Sequence, residues 1–183
     1  MEKLIIDDNQ YLERLNLWHV EPIFNAIDQN RQFLRKWLPF VDYTHRVRDT
    51  ERFVRSILEK TSARRDEVYI VKYNNLFAGL VGFKEADRIN DKIEIGYWLV
   101  ESMTGKGIAT AAVRKMINLA FRNMDMNRVQ IRCGVGNHKS SAIPRRLGFT
   151  LEGTERAGER HKLSYIDLEV YSLLKSEWVE SLF

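Results

Sequence analysis

Apolar and polar positions along the chain change period twice, and the changes lay out the elements. Tyr11 to Leu17 reads as a first strand. Ile23, Phe24 and Ile27, followed by Phe33, Leu34 and Trp37, recur at helical spacing and predict two short helices ended by Pro39. A third helix is predicted from Asp49, with Asp49 as its N-cap and Phe53, Val54, Ile57 and Leu58 as its buried stripe. The centre turns to strands: Val68 to Tyr73 and Leu76 to Lys84 flank Asn74-Asn75, a pair suited to positive φ and hence to a tight hairpin. A turn at Asp87 to Asp91 then feeds Ile93 to Val100, giving three antiparallel strands in a row. Thr104-Gly105-Lys106-Gly107 precedes a long helix from Ile108 to Arg122, with Ile108, Ala112, Met116, Leu119 and Ala120 on one face. Arg128 to Val135 returns as a strand, parallel to the one before because a helical crossover separates them. A short helix at Lys139 to Arg146 and strands at Phe149 to Gly153 and Tyr165 to Leu174 complete an α+β order.

Composition narrows the class. The 183 residues fit one domain, 1–183, with a core large enough to need no disulfide staples, and 44% apolar with 30% charged residues argues against disorder. No apolar run approaches the ~20 residues of a membrane span. Met1 to Asp8 lacks a signal-peptide core, so a cytoplasmic protein without a membrane partner is expected. The net charge of +4 favours an anionic partner; the densest basic clusters are only Arg64-Arg65 and Arg145-Arg146, and on composition alone a phosphorylated small molecule or a ribosome-associated target fits as well as DNA, although no DNA partner is expected. The lone Cys133 and the scattered His19, His45, His138 and His161 show no metal spacing, and no metal is expected.

Ser102 to Thr110 carries the first chemistry. A helix N-terminus offers unpaired N–H groups and partial positive charge, and glycine there removes the Cβ atoms that would hold a phosphate away. Taken alone, Gly-x-Gly before a helix is also an ordinary turn. The segment is not a P-loop, because the Lys-Ser/Thr pair is missing, nor a dinucleotide fingerprint, because the third glycine is missing.

The order of the longer segments is more specific. Phe33-Leu34-Arg35-Lys36-Trp37-Leu38-Pro39, Ile93-Glu94-Ile95-Gly96-Tyr97-Trp98-Leu99, Gly105-Lys106-Gly107-Ile108-Ala109-Thr110, Asn137-His138-Lys139-Ser140-Ser141-Ala142 and Leu147-Gly148-Phe149 follow one another, before Tyr171-Ser172-Leu173-Leu174 near the end. Together they resemble the GNAT superfamily of acetyl-CoA-dependent N-acetyltransferases. Within it the chain is most similar to the Rim-type acetyltransferases of ribosomal-protein N-termini. Its signature differs in one slot, with Ser102 where Gln or Arg is usual.

The resemblance implies a mixed, mostly antiparallel sheet of six to seven strands, splayed at the central strands and flanked by helices. It implies acetyl-CoA as co-substrate, with Leu99 and Val100 pairing its pantetheine arm and a nearby backbone N–H receiving the thioester oxygen. Gly105, Lys106, Gly107, Ile108, Ala109 and Thr110 would hold the pyrophosphate, and Asn137 would orient the co-substrate or cap the helix that follows. Ser140 is the candidate donor to the departing thiolate, or a helix cap. Glu159 and Glu94 are the candidate bases; their ordinary alternatives are a solvated loop charge and a strand-face ion pair. An α-amine of pKa near 8 is already ~10% neutral at pH 7, so a modest base suffices. Cys133 lies mid-strand without an adjacent base and reads as a core residue. The expected acceptor is a protein N-terminal amine, plausibly of a ribosomal protein, with direct transfer in a ternary complex. The alternatives are a small-molecule amine of polyamine or antibiotic type, or a non-catalytic CoA-binding, ribosome-associated protein. A homodimer is expected from the family.

Overall fold

The computed structural model describes residues 3–59 and 67–179, so Arg64-Arg65 lies outside the described residues. The elements run β1 (Lys3–Ile5), β2 (Gln10–Arg14), α1 (Val20–Gln29), α2 (Arg31–Leu34), α3 (Val47–Leu58), β3 (Val68–Tyr73), β4 (Leu76–Asp87), β5 (Lys92–Leu99), α4 (Ile108–Asn118), β6 (Arg128–Gly134), α5 (His138–Arg146), β7 (Thr150–His161) and β8 (Ser164–Leu174). Neighbouring strands bond in the order β1-β2-β3-β4-β5-β6-β8-β7, a mixed and mostly antiparallel sheet. Among the described residues the sheet has eight strands, one beyond the expected six to seven. The addition is β1, three residues that are too short to display a period. The chain clusters into two compact units, one of residues up to Gly82 with Tyr97–Ala112, the other of Phe83–Gly96 with the chain from Val113 onward.

In the first unit α1, α2 and α3 supply Val20, Ile23, Ile27, Leu34 and Val54 to a core shared with Leu15, Ile70 and Leu80, each buried side chain contributing roughly 1.5–3 kcal/mol. Asn74 and Asn75 take φ of 49° and 63°, so the tight hairpin forms as their residue types require. Strand β2 stops at Arg14, short of the expected Leu17, because Asn16 caps a 3-10 turn at Leu17–His19: its Oδ1 accepts from Leu17 N at 2.6 Å. Pro39 does more than end a helix, since it opens a second 3-10 turn, Pro39–Tyr43. Asp49 caps α3 from inside its first turn rather than from the N-cap: its carboxylate accepts from His45 N and Arg46 N, both at 2.9 Å. On the same helix Phe53 is exposed and Thr50 takes a buried place beside Val54.

In the second unit β5 and β6 pair in parallel only from Lys92↔Arg128 to Glu94↔Gln130. Strand β6 continues to Gly134, paired with β8 throughout. Its Val129, Ile131 and Cys133 are buried and alternate with half-buried Arg128, Gln130 and Arg132. Helix α4 ends at Asn118, and a wider π-type turn, Leu119–Asn123, carries the coil to the predicted end, with Ala120 and Phe121 buried. Strand β7 is much longer than the Phe149 to Gly153 stretch expected. It is exposed from Thr150 to Ala157, so no apolar alternation marks it. A register shift between Glu155 and Glu159 interrupts it, where Ala157 takes φ 52° and its N–H donates to Asp167 Oδ1 at 2.7 Å.

Candidate active site

Leu99 and Val100 differ in what their backbones can still do. Val100 N donates to Ala78 O at 2.9 Å and its carbonyl accepts from Met103 N at 3.0 Å, so both groups are already used within the fold. Because successive residues of a strand direct their amides to opposite sides, the Leu99 N–H and C=O face away from β4. The β5–β6 register ends well before Leu99, at Glu94. Strand β4 is shaped to press on this end of β5. Ala78 is an extra residue between the pairs Val71↔Gly79 and Lys72↔Phe77, and a Cβ on Gly79 would lie 2.0 Å from Trp98 O and 2.8 Å from Leu99 Cα. Phe77 and Phe40 flank the Trp98 ring, with centroids at 6.0 and 6.4 Å, which places Trp98 in packing.

From Val100 a 3-10 turn, Glu101–Met103, leads into the glycine loop. Asn30 Oδ1 at the end of α1 accepts from Glu101 N at 3.0 Å and ties the turn down. Gly105 and Gly107 have φ of 76° and 79°, a region that side chains with a Cβ adopt at a cost. A Cβ on either would meet nothing within 4 Å, so the glycines answer to backbone conformation and leave open space in front of the loop. Helical bonding begins with Ala111 N to Gly107 O at 3.0 Å. The N–H groups of Ile108 and Ala109 therefore precede the first helical bond and have no carbonyl four residues back inside α4. Gly105, Lys106 and Gly107 are exposed, Ile108 is buried as the helix anchor, and Ala109 and Thr110 are half-buried. Exposed glycines, helix-start amides and an adjacent ammonium are the donor set that a diphosphate needs.

The second unit holds the other named residues. Asn137 is the N-cap of α5, its Oδ1 accepting from Ser140 N at 3.3 Å. Ser140 thus sits in the first turn rather than capping the helix itself, and its Oγ lies 3.3 Å from Cys133 Sγ. Cys133 is buried in β6, as expected of a core residue. Glu94 is 3% exposed and held by two cations, Lys84 Nζ at 2.6 Å from Oε1 and Arg132 Nε donating to Oε2 at 2.7 Å. The lysine makes a close ion pair without hydrogen-bond alignment, so Oε1 carries no aligned donor. Glu94 therefore stands as a buried strand-face ion pair, closer to its structural alternative than to a free base. Lys84 and Arg132 reach Glu94 from β4 and β6, the strands either side of β5. Glu159 is more accessible, with its Oε2 2.9 Å from His161 Nε2, one strand repeat away on the same face of β7. Glu94 and Glu159 thus engage different partners. Among the described residues no cluster of His, Cys, Asp and Glu could hold a metal ion.

Residues 11–150 match the acetyltransferase (GNAT) domain family. YdaF of Bacillus subtilis (strain 168), assigned as a ribosomal N-acetyltransferase, is 39% identical over 162 residues, covering 86% of this chain and 87% of that protein. The ribosomal-protein-serine acetyltransferase of Escherichia coli (strain K12) is 27% identical over 84% of this chain and 86% of its own. Among solved structures, RimL, a ribosomal L7/L12 α-N-protein acetyltransferase in complex with coenzyme A, overlays with a TM-score of 0.91 at 26% identity, covering 97% of this chain and 100% of that one. In that structure coenzyme A is in a disulfide with a cysteine of RimL. A strand end with outward backbone groups, exposed glycines ahead of a helix start and these relatives lead to one conclusion: the chain belongs to the GNAT family and is an acetyl-CoA-dependent N-acetyltransferase.

Proposed function

We propose that this enzyme transfers the acetyl group of acetyl-CoA directly to the α-amine of a protein N-terminus, that of a ribosomal protein, in a ternary complex. The observation that carries the reading is the near end-to-end overlay on RimL, together with the likeness to a ribosomal-protein-serine acetyltransferase over 84% of the chain. Acetyl-CoA supplies an activated acyl group on a thiol leaving group. The loop from Gly105 through Lys106, Gly107, Ile108 and Ala109 to Thr110 binds its diphosphate by backbone N–H groups and the Lys106 charge. Leu99 N–H donates to the thioester oxygen, stabilising the negative charge that develops there. Ser140 gives a proton to the departing thiolate and is held in place by the Asn137 cap below it and Cys133 beside it. Glu159, with His161 as its partner, takes the proton from the attacking amine. An α-amine with pKa near 8 needs only this half-exposed carboxylate, whereas a lysine side chain near 10.4 would need a stronger base. Cys133 carries no acyl group in this scheme.

The reading places the enzyme in the cytoplasm and as a homodimer. The exposed length of β7 at the sheet edge supports pairing with a second copy, since an unpaired edge is a template for another strand. The experiment that tests the function compares intact masses of ribosomal proteins from cells with and without this gene, and assays the purified enzyme on serine-starting peptides and on spermidine. Loss of the mass of one acetyl group from a ribosomal protein in cells without the gene, together with peptide turnover, is the expected result. Turnover of spermidine alone would move the acceptor to the small-amine class, and coenzyme A binding without turnover of any amine would favour a non-catalytic protein.

A further inference from the structure

We propose that Gln10 is a positioning residue for acetyl-CoA, a strut that fixes the start of α4 and thereby the N–H groups that meet the diphosphate; this rests on the glycine-loop assignment above. Gln10 is 3% exposed on β2, on the same face as the fully buried Leu12. A buried amide in such a place is costly unless it is bonded. Its Nε2 donates to Ile108 O at 2.8 Å, a buried bond between residues 98 positions apart in the chain. Ile108 is the first residue of α4, one place after Gly107, whose carbonyl starts the helical ladder. The bond therefore falls on the turn that presents the loop.

The other end of the strut is equally fixed. Gln10 N donates to Asp7 Oδ1 at 2.8 Å, and Gln10 O accepts from Ile6 N at 3.0 Å and Asp7 N at 3.1 Å. The β1–β2 turn thus grips the Gln10 backbone while its side chain grips α4. Open space in front of Gly105 and Gly107 means that no packing on that side holds the loop. A first turn without such contacts frays readily, and amides that must be ordered at the moment of binding lose affinity.

Gln10→Met keeps the buried volume and removes the donor, and Gln10→Glu keeps the shape while setting an acceptor against the Ile108 carbonyl. Val71→Ala, in the adjoining strand β3 and 1% exposed, serves as a control that lowers stability without touching the strut. Coenzyme A affinity is measured by calorimetry, steady-state kinetics by varying acetyl-CoA, and hydrogen exchange by mass spectrometry over Gly105–Ala112. Both Gln10 variants should raise the coenzyme A Kd and the acetyl-CoA KM by roughly 10-fold, the loss of about one good hydrogen bond, with kcat little changed and faster exchange at the first turn of α4. Val71→Ala should lower Tm without these changes. Unchanged Kd and exchange in Gln10→Met, or an equal Kd rise in Val71→Ala, would overturn the proposal. Faster exchange with unchanged Kd would also overturn it, and would show that the loop assignment, rather than the strut, is at fault.

Discussion

At the scale of single residues, the candidate hydroxyl and carboxylates differ more in their surroundings than in their types. Asn137 provides the N-cap bond of α5, which leaves the Ser140 hydroxyl facing Cys133 Sγ. Ser140→Ala should therefore lower kcat by about 10²-fold, the usual size of general-acid help, with coenzyme A affinity nearly unchanged. Loss of stability with full turnover at saturation would instead assign the hydroxyl a packing role. Glu159 and Glu94 should separate in the same way. Glu159→Gln should lose rate most at low pH, where the acceptor amine is protonated, and recover as pH rises past ~8. Glu94→Gln should leave that pH profile alone and lower Tm, because Lys84 and Arg132 then face a neutral amide. Coincident rate–pH profiles for wild type and Glu159→Gln would remove Glu159 as the base.

At the scale of elements, two helix starts use the same physics for different ends. The start of α3 is tied internally: Asp49 accepts from His45 N and Arg46 N just ahead of the helix and pairs with Arg52, and these bonds hold its pKa down at about 2. In α4 two glycines with positive φ precede the first turn, and a Cβ on either would meet nothing within 4 Å. Adding a carboxylate should thus have opposite consequences at the two starts. Gly107→Asp should raise the coenzyme A Kd by at least ~10-fold, by repulsion where the diphosphate lies and by strain at φ 79°. Calorimetry on the folded variant reads this directly, and an unchanged Kd would place the diphosphate elsewhere.

At the scale of the whole molecule, acid should weaken the fold in two steps. Burial lowers the His19 pKa below 6.5, against the attraction of Glu13 at 3.4 Å and with Lys72 adding repulsion. A histidine whose folded pKa is depressed binds its proton more readily when unfolded, so stability falls as pH drops below ~6.5. Glu152 is held at about 2, first by its hydrogen bonds from Arg128 at 2.6 and 2.5 Å, with Ser172 Oγ donating at 2.8 Å. Its stabilisation is complete above pH ~4.5 and is lost as pH falls towards 2. The Glu152 side chain is 39% exposed, so solvent screening limits the pair to about 1 kcal/mol. Thermal melts from pH 7 to 3 should show Tm falling in both ranges, with Glu152→Gln flattening the lower step and His19→Gln the upper. A Glu152→Gln melt series parallel to wild type would remove that pair from the acid response.

Local pattern was enough wherever a residue's environment depended on its near neighbours in sequence. Asn74-Asn75 specified a hairpin because both side chains tolerate positive φ, the spacing from Ile108 to Ala120 specified a helix face, and the helical crossover between β5 and β6 specified their parallel pairing. The glycine loop and its helix start were legible for the same reason, because a turn and the orphan amides behind it are local facts, whereas the family was legible from the order of the longer segments along the chain. Strand β7 was not legible beyond its first residues, because an exposed edge leaves no alternation to read. Tertiary pairing alone could decide that Ala78 takes the Val100 amide and turns the Leu99 amide outward, and that Lys84 and Arg132 converge on Glu94. It also brought Gln10 to Ile108 across 98 residues. Hydrogen bonds and ion pairs between distant strands follow from register, and register is set by the packing of whole faces, which no short stretch of sequence contains.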